Sequence, residues 1–110
     1  MSVETTDRDG AVLVALSGEL DVDSAGQVEE RLLAVEGPAP ERIVLDLRGL
    51  AFIDSTGLSL LINANRRAEK VGRRLTIVSG TGPTRRLLRT VGLDTRLDVV
   101  EDLPEGDQRM

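Results

Sequence analysis

Apolar and polar positions along this chain follow two periods. Ala11-Val12-Leu13-Val14-Ala15-Leu16, Ile43-Val44-Leu45-Asp46-Leu47 and Leu75-Thr76-Ile77-Val78-Ser79 are short runs rich in leucine and β-branched side chains, the pattern of buried strands. Between them the period lengthens to that of a helix. Ala25, Val28, Leu32 and Val35 form one apolar stripe, and Leu58, Leu61, Ile62, Ala64, Ala68 and Val71 form a broader one. A shorter stripe carries Leu87, Leu88 and Val91.

The punctuation fits these segments. Val3 to Thr6 reads as a short edge strand, and Asp7-Arg8-Asp9-Gly10 as a turn joining it in a hairpin to the run from Ala11. Ser17 to Asp23 reads as a loop with three acids, followed by Ser24 and Gln27 in capping-box spacing. Gly37-Pro38-Ala39-Pro40 stops the first helix. After Leu47 a short connection leads to Phe52-Ile53-Asp54-Ser55-Thr56-Gly57-Leu58, which opens the long helix that ends before Gly72. Pro83 begins the third helix, Gly92 follows it, and Leu97 to Val100 is a last short strand.

The order β-β-α-β-α-β-α-β predicts an α/β fold: one mostly parallel sheet of four to five strands, an antiparallel edge strand and right-handed crossovers. The domain is expected to span residues 1–100. Residues 101–110 read as an acidic, frayed tail broken by Pro104 and Gly106.

Composition narrows the chemistry. The chain of 110 residues has room for one core, and its net charge of −5 is wrong for a nucleic-acid binder, which needs a concentrated basic surface. Without Cys there is no disulfide framework or thiolate metal site. With no His, Trp or Tyr and one Phe, the commonest general base and any stacking platform for bases are missing. No signal-peptide pattern or long apolar run occurs, so a cytoplasmic protein without membrane contact, cofactor or metal is expected.

The candidate chemistry lies where the central strand meets the long helix. Asp54, Ser55 and Thr56 place three oxygen-bearing side chains at a first helical turn, where backbone N–H groups lack intrahelical partners. Helix capping alone accounts for such residues. An aspartic-protease reading fails, since an extra residue separates Ser55 from Gly57 and no second copy exists. The run Ser79-Gly80-Thr81-Gly82-Pro83-Thr84 lacks the Lys-Ser/Thr of a phosphate-cradling loop. Arg85, Arg86 and Arg89 read as a solvated helix face. A phosphoaspartate receiver could use Asp21, Asp23, Asp46 and Asp54, but Lys70, the chain's one Lys, falls at a helix end rather than beside them.

Taken together, Leu16-Ser17-Gly18-Glu19-Leu20-Asp21, Ile43-Val44-Leu45-Asp46-Leu47, Phe52-Ile53-Asp54-Ser55-Thr56-Gly57-Leu58 and Gly92-Leu93 resemble the STAS domain of bacterial anti-sigma factor antagonists. The resemblance runs from Val3 to about Val100, and the Asp-Ser-Thr-Gly-Leu junction is its most specific part. It implies a binding protein rather than an enzyme. Unphosphorylated, such an antagonist binds an anti-sigma factor that is a serine kinase of the histidine-kinase-like ATPase fold, and so releases a sigma factor. The kinase phosphorylates the Ser after the Asp, here Ser55, and a PP2C-type phosphatase reverses this. The implied partner surface comprises Glu19, Asp21, Asp23, Ser24, Asp54, Ser55, Thr56, Gly57 and Leu58. A STAS subunit of a lipid-transport ABC complex or stress-signalling complex is the alternative, ahead of a nucleotide-binding or phosphoaspartate module.

Overall fold

The computed structural model describes residues 1–103. Five strands and three helices alternate as expected: β1 Ser2–Arg8, β2 Ala11–Leu20, α1 Ala25–Glu36, β3 Arg42–Ile53, α2 Ser55–Lys70, β4 Arg74–Val78, α3 Pro83–Thr90 and β5 Asp98–Val100. They form one sheet in sequence order; β1 pairs antiparallel with β2, and the other three pairings are parallel. Asp9 and Gly10 both take positive φ, 49° and 87°, so the tight turn of the first hairpin has the twist its strands require. The expected frayed tail falls, from residue 104 onward, outside the described residues.

The register explains why the strand runs are apolar throughout. Val12, Val14, Leu16, Ile43, Leu45, Leu47, Leu75 and Ile77 share one face and pack with Val28, Leu32, Leu60, Leu61, Ala64, Ala68 and Leu88 from the three helices. The alternate positions Val44, Asp46, Thr76 and Val78 are also buried, on the opposite face. There Arg48 grips both carboxylate oxygens of Asp46, at 3.0 and 2.9 Å. That hydrogen bond holds the Arg48 guanidinium above its ordinary pKa, against the opposing pull of burial. On the helical side, Arg67 of α2 makes the same two-pronged contact with Glu36 of α1, both bonds at 2.8 Å, fastening the two helices together.

Strand boundaries differ from the sequence reading: β1 runs from Ser2 to Arg8 rather than Val3 to Thr6, β4 is shifted by one residue to Arg74–Val78, and β5 starts at Asp98 rather than Leu97. β2 continues through Ser17–Leu20, so Glu19 is a strand residue rather than part of a loop. β3 has no break after Leu47; Phe52 and Ile53 complete this strand of 12 residues instead of opening the helix. β4 has only five residues, so beyond it β3 keeps a partner on the β2 side alone, through two register shifts. The helical stripes differ at their ends as well. Val71 and Val91 are exposed C-caps, 65% and 47% accessible, and Leu60 and Thr84 are buried instead.

Candidate functional site

The β2–β3 ribbon carries the candidate residues to the carboxyl end of the sheet. The N–H of Asp54 donates to the carbonyl of Leu20 at 3.2 Å, so the end of β2 and the turn into α2 are tied together. Asp54 itself is extended, φ −113° and ψ −170°, and caps α2. Its Oδ1 accepts from the N–H groups of Thr56 at 2.9 Å and Gly57 at 3.2 Å, while its carbonyl accepts from Leu58 at 3.0 Å. Three first-turn donors are therefore occupied by one residue. A helix N-terminus can partly compensate a negative group, but here the Asp54 carboxylate already holds the Thr56 and Gly57 donors.

Ser55 is the first residue of α2 and is exposed, with Thr56 and Leu58 half-buried beside it. Gly57 is buried, and its lack of a side chain is a packing requirement. A Cβ there would lie 2.7 Å from Cγ1 of Ile53 and 2.9 Å from Cγ of Leu20. The smallest residue thus lets the start of α2 sit directly on the ends of β2 and β3.

The neighbouring loop is folded on itself. The Asp21 side chain accepts from the N–H groups of Asp23 at 3.0 Å and Ser24 at 3.2 Å, and the Asp21 carbonyl accepts from Ala25 at 2.9 Å. Ser24 does not form the expected capping box: its hydroxyl donates to the Glu19 carbonyl at 2.6 Å and accepts from the Asp21 N–H at 3.1 Å. Asp21 supplies the local carboxylate acceptor, an outcome that Asp-x-x-Ser spacing permits as readily as the Ser-x-x-Gln pattern. Ser24 is 9% exposed, so its part is to shape the loop. Glu19 and Asp23 face solvent and, with Asp21, line a cavity of about 440 Å³.

The structure thus brings the Glu19–Ser24 and Asp54–Leu58 segments side by side. It keeps Asp46 apart on the far face, paired with Arg48, so the receiver-like set of acids is not assembled. Among the described residues no cluster of three or more acids has metal-binding geometry. Two apolar side chains at this end were missed by the sequence reading, Val22 at 72% and Phe52 at 49% exposure. The signal for Phe52 was available: it is the chain's one aromatic residue, placed where the buried runs end.

Among the described residues no helix is long and apolar enough to cross a membrane. Comparison with known proteins places this architecture. The family model described as "Mlab, STAS domain" matches residues 3–101. The anti-sigma-F factor antagonist RsfB of Mycobacterium tuberculosis is 30% identical over 96 residues, covering 86% of this chain and 76% of RsfB. The anti-sigma-B factor antagonist of Staphylococcus aureus is 29% identical over 101 residues, covering 92% and 94% of the two chains. Among solved structures, an anti-sigma factor antagonist from Mycobacterium paratuberculosis superposes with a TM-score of 0.86 at 29% identity, covering 93% of this chain and 86% of that one. With the motif, the fold and these relatives in agreement, the chain belongs to the STAS domain family of bacterial anti-sigma factor antagonists.

Proposed function

We propose that this protein is a phosphorylation-controlled anti-sigma factor antagonist of the cytoplasm, acting by binding rather than by catalysis. In its unphosphorylated form it holds an anti-sigma factor that is also a serine kinase, which frees a sigma factor. Phosphorylation of Ser55 ends the interaction, and a PP2C-type phosphatase restores it. The names of the relatives support the antagonist role. The observation that carries the switch is the exposed Ser55 at the first position of α2, beside a carboxylate that already accepts from two first-turn N–H groups, those of Thr56 and Gly57.

The physics follows from those contacts. A phosphate adds about −1.5 to −2 charges and three acceptor oxygens. At Ser55 it must compete with Asp54 for Thr56 and Gly57, close to the segment holding Glu19 and Asp23, so its charge is left toward solvent. An exposed charge of this kind is tolerated by the free domain. Pressed into an interface it must be desolvated, which costs on the order of several kcal/mol and changes affinity by orders of magnitude. The switch acts on the interface while the fold persists.

Labelling by ATP and the cognate kinase tests the reading. The label should survive acid, as a phosphoserine does, and map to Ser55. An acid-labile label from acetyl phosphate, lost in Asp46→Ala or Asp54→Ala, would point to a phosphoaspartate module instead.

A further inference from the structure

At the end of the sheet opposite Ser55, the first hairpin, the last turn of α1 and the loop before β3 surround a groove of about 540 Å³. Its apolar lining comes from Val12, Val35, Pro38 and Pro40. Val12 is buried and Val35 half-buried, whereas Pro38 and Ala39 stand in solvent, so the groove has a floor and one open side. The wall is set before anything binds. Its two prolines fix their own φ, and Ala39 between them is held at φ 58°, a left-handed conformation that a residue with a Cβ adopts only under constraint from its surroundings.

The charged part of the lining is acidic. Asp7 and Asp9 come from the hairpin and Glu41 from the loop, all three exposed, and Asp7 pairs in register with Val12 on the helical face of the sheet. The Glu41 N–H donates to the Gly10 carbonyl at 2.9 Å, and its carboxylate lies over the same turn, where a Cβ on Gly10 would stand 3.4 Å from Oε2. None of the three carboxylates has an ion pair among the described residues. The neighbouring bases are directed elsewhere. Arg8 and Arg42 both stand in register with Ala11, on the opposite face with Val44 and Asp46. Arg73 donates to the carbonyls of Pro40 at 2.9 Å and Glu36 at 3.5 Å, and Arg31, a turn before Ala34 on α1, lies outside the lining.

We propose that this groove docks an extended basic segment of a protein partner. A Lys or Arg of that segment lays its alkyl stem along the proline wall and sets its charged head among Asp7, Asp9 and Glu41, matching the apolar stem and charged tip of such side chains. Open along one side, the groove takes a length of chain rather than an enclosed small molecule. Because the wall is fixed in advance, docking orders little of this protein. The site lies the length of β3 away from Ser55, so it goes beyond the antagonist reading and does not depend on it: a segment held here stays bound in both states of the switch.

The test titrates a short blocked peptide of alternating leucine and arginine into the isotopically labelled whole chain and follows amide chemical shifts, with thermal midpoints recorded in parallel. Shifts should concentrate on Gly10, Val12, Val35 and Glu41 and fade as salt is raised. The triple variant Asp7→Asn/Asp9→Asn/Glu41→Gln should bind at least about tenfold more weakly. Ala34→Lys, which brings an ammonium to the groove from an exposed helical position, should weaken binding at least as much. Glu4→Gln, on the opposite face of β1, and Ser55→Asp should bind as wild type does. Should the triple variant lower the midpoint, Ala34→Lys decides alone. No shifts at the groove in wild type, equal shifts from the glutamate counterpart of the peptide, or both groove variants within about threefold of wild type would overturn the proposal. Shifts centred on Asp21 and Asp23 would show a general attraction to acids and equally overturn it. Free arginine amide binding as tightly as the peptide would identify a small-molecule site and overturn it too. Each of these results leaves the antagonist reading intact.

Discussion

Replacing Asp54 separates two roles that one carboxylate combines at the start of α2. Its Oδ1 accepts from the N–H groups of Thr56 and Gly57, and its charge faces the positive end of the helix. Asp54→Ala removes both, and loss of an N-cap of this kind costs about 1–2 kcal/mol. For a domain of this size the thermal midpoint falls by about 4–8 °C per kcal/mol, so a drop of roughly 4–16 °C is expected. Asp54→Asn keeps an oxygen that can accept the same two bonds and removes only the charge, a loss of about 0.3–1 kcal/mol at an exposed helix start. Its midpoint should therefore fall by less than half as much. Differential scanning calorimetry at one pH and low salt measures both. Equal drops for Ala and Asn would mean that charge rather than hydrogen bonding holds the turn; no drop in either would refute the capping role.

Gly57→Ala and Ser24→Ala test the packing and the loop. A methyl at Gly57 gains about 1 kcal/mol of helix propensity, but it meets the side chains of Ile53 and Leu20, which are 7% and 0% exposed and have no solvent to move into. Overpacking of about 1–3 kcal/mol should win, giving a lower urea midpoint; a raised one would contradict the close approach. Ser24→Ala leaves the Glu19 carbonyl and the Asp21 N–H without their hydroxyl partner. A loss of about 1–2 kcal/mol in urea unfolding is expected, and stability within about 0.3 kcal/mol of wild type would show that the hydroxyl does not hold the loop.

The order of elements was legible because the buried runs and helical stripes have distinct periods and Gly or Pro marks most of their ends. The Asp54 cap was legible for the same local reason. What escaped depends on neighbours. Arg48-Gly49-Leu50-Ala51 lacks a strand pattern because β4 ends at Val78 and this stretch of β3 pairs on one side only, so little burial disciplines its sequence. Ser24 and Asp21 each fit a capping pattern, and only the position of the Glu19 carbonyl decides that the Ser24 hydroxyl turns away from the helix. Val71 matches the apolar stripe in spacing, yet the helix ends at Lys70 and leaves it in solvent. In the candidate site, sequence proposed the residues, whereas their juxtaposition follows from the bond between the Asp54 N–H and the Leu20 carbonyl, a contact between distant segments.

The central claim is that Ser55 switches an interface rather than the fold. Titration calorimetry against the cognate anti-sigma kinase, with thermal midpoints for the same proteins, tests it most directly on wild type, Ser55→Ala, Ser55→Asp and the Ser55-phosphorylated form. Ser55→Ala should bind as wild type does, since it removes the acceptor hydroxyl and adds no charge. Phosphorylation should weaken binding by at least about 100-fold, equivalent to about 2.7 kcal/mol. Ser55→Asp should fall between them, having less charge and fewer acceptor oxygens than phosphate. All four midpoints should stay within a few degrees, with Ser55→Asp level or higher because an acid at a helix start is favourable. Equal affinities across the series, with only the midpoints differing, would make Ser55 a structural residue and contradict the account.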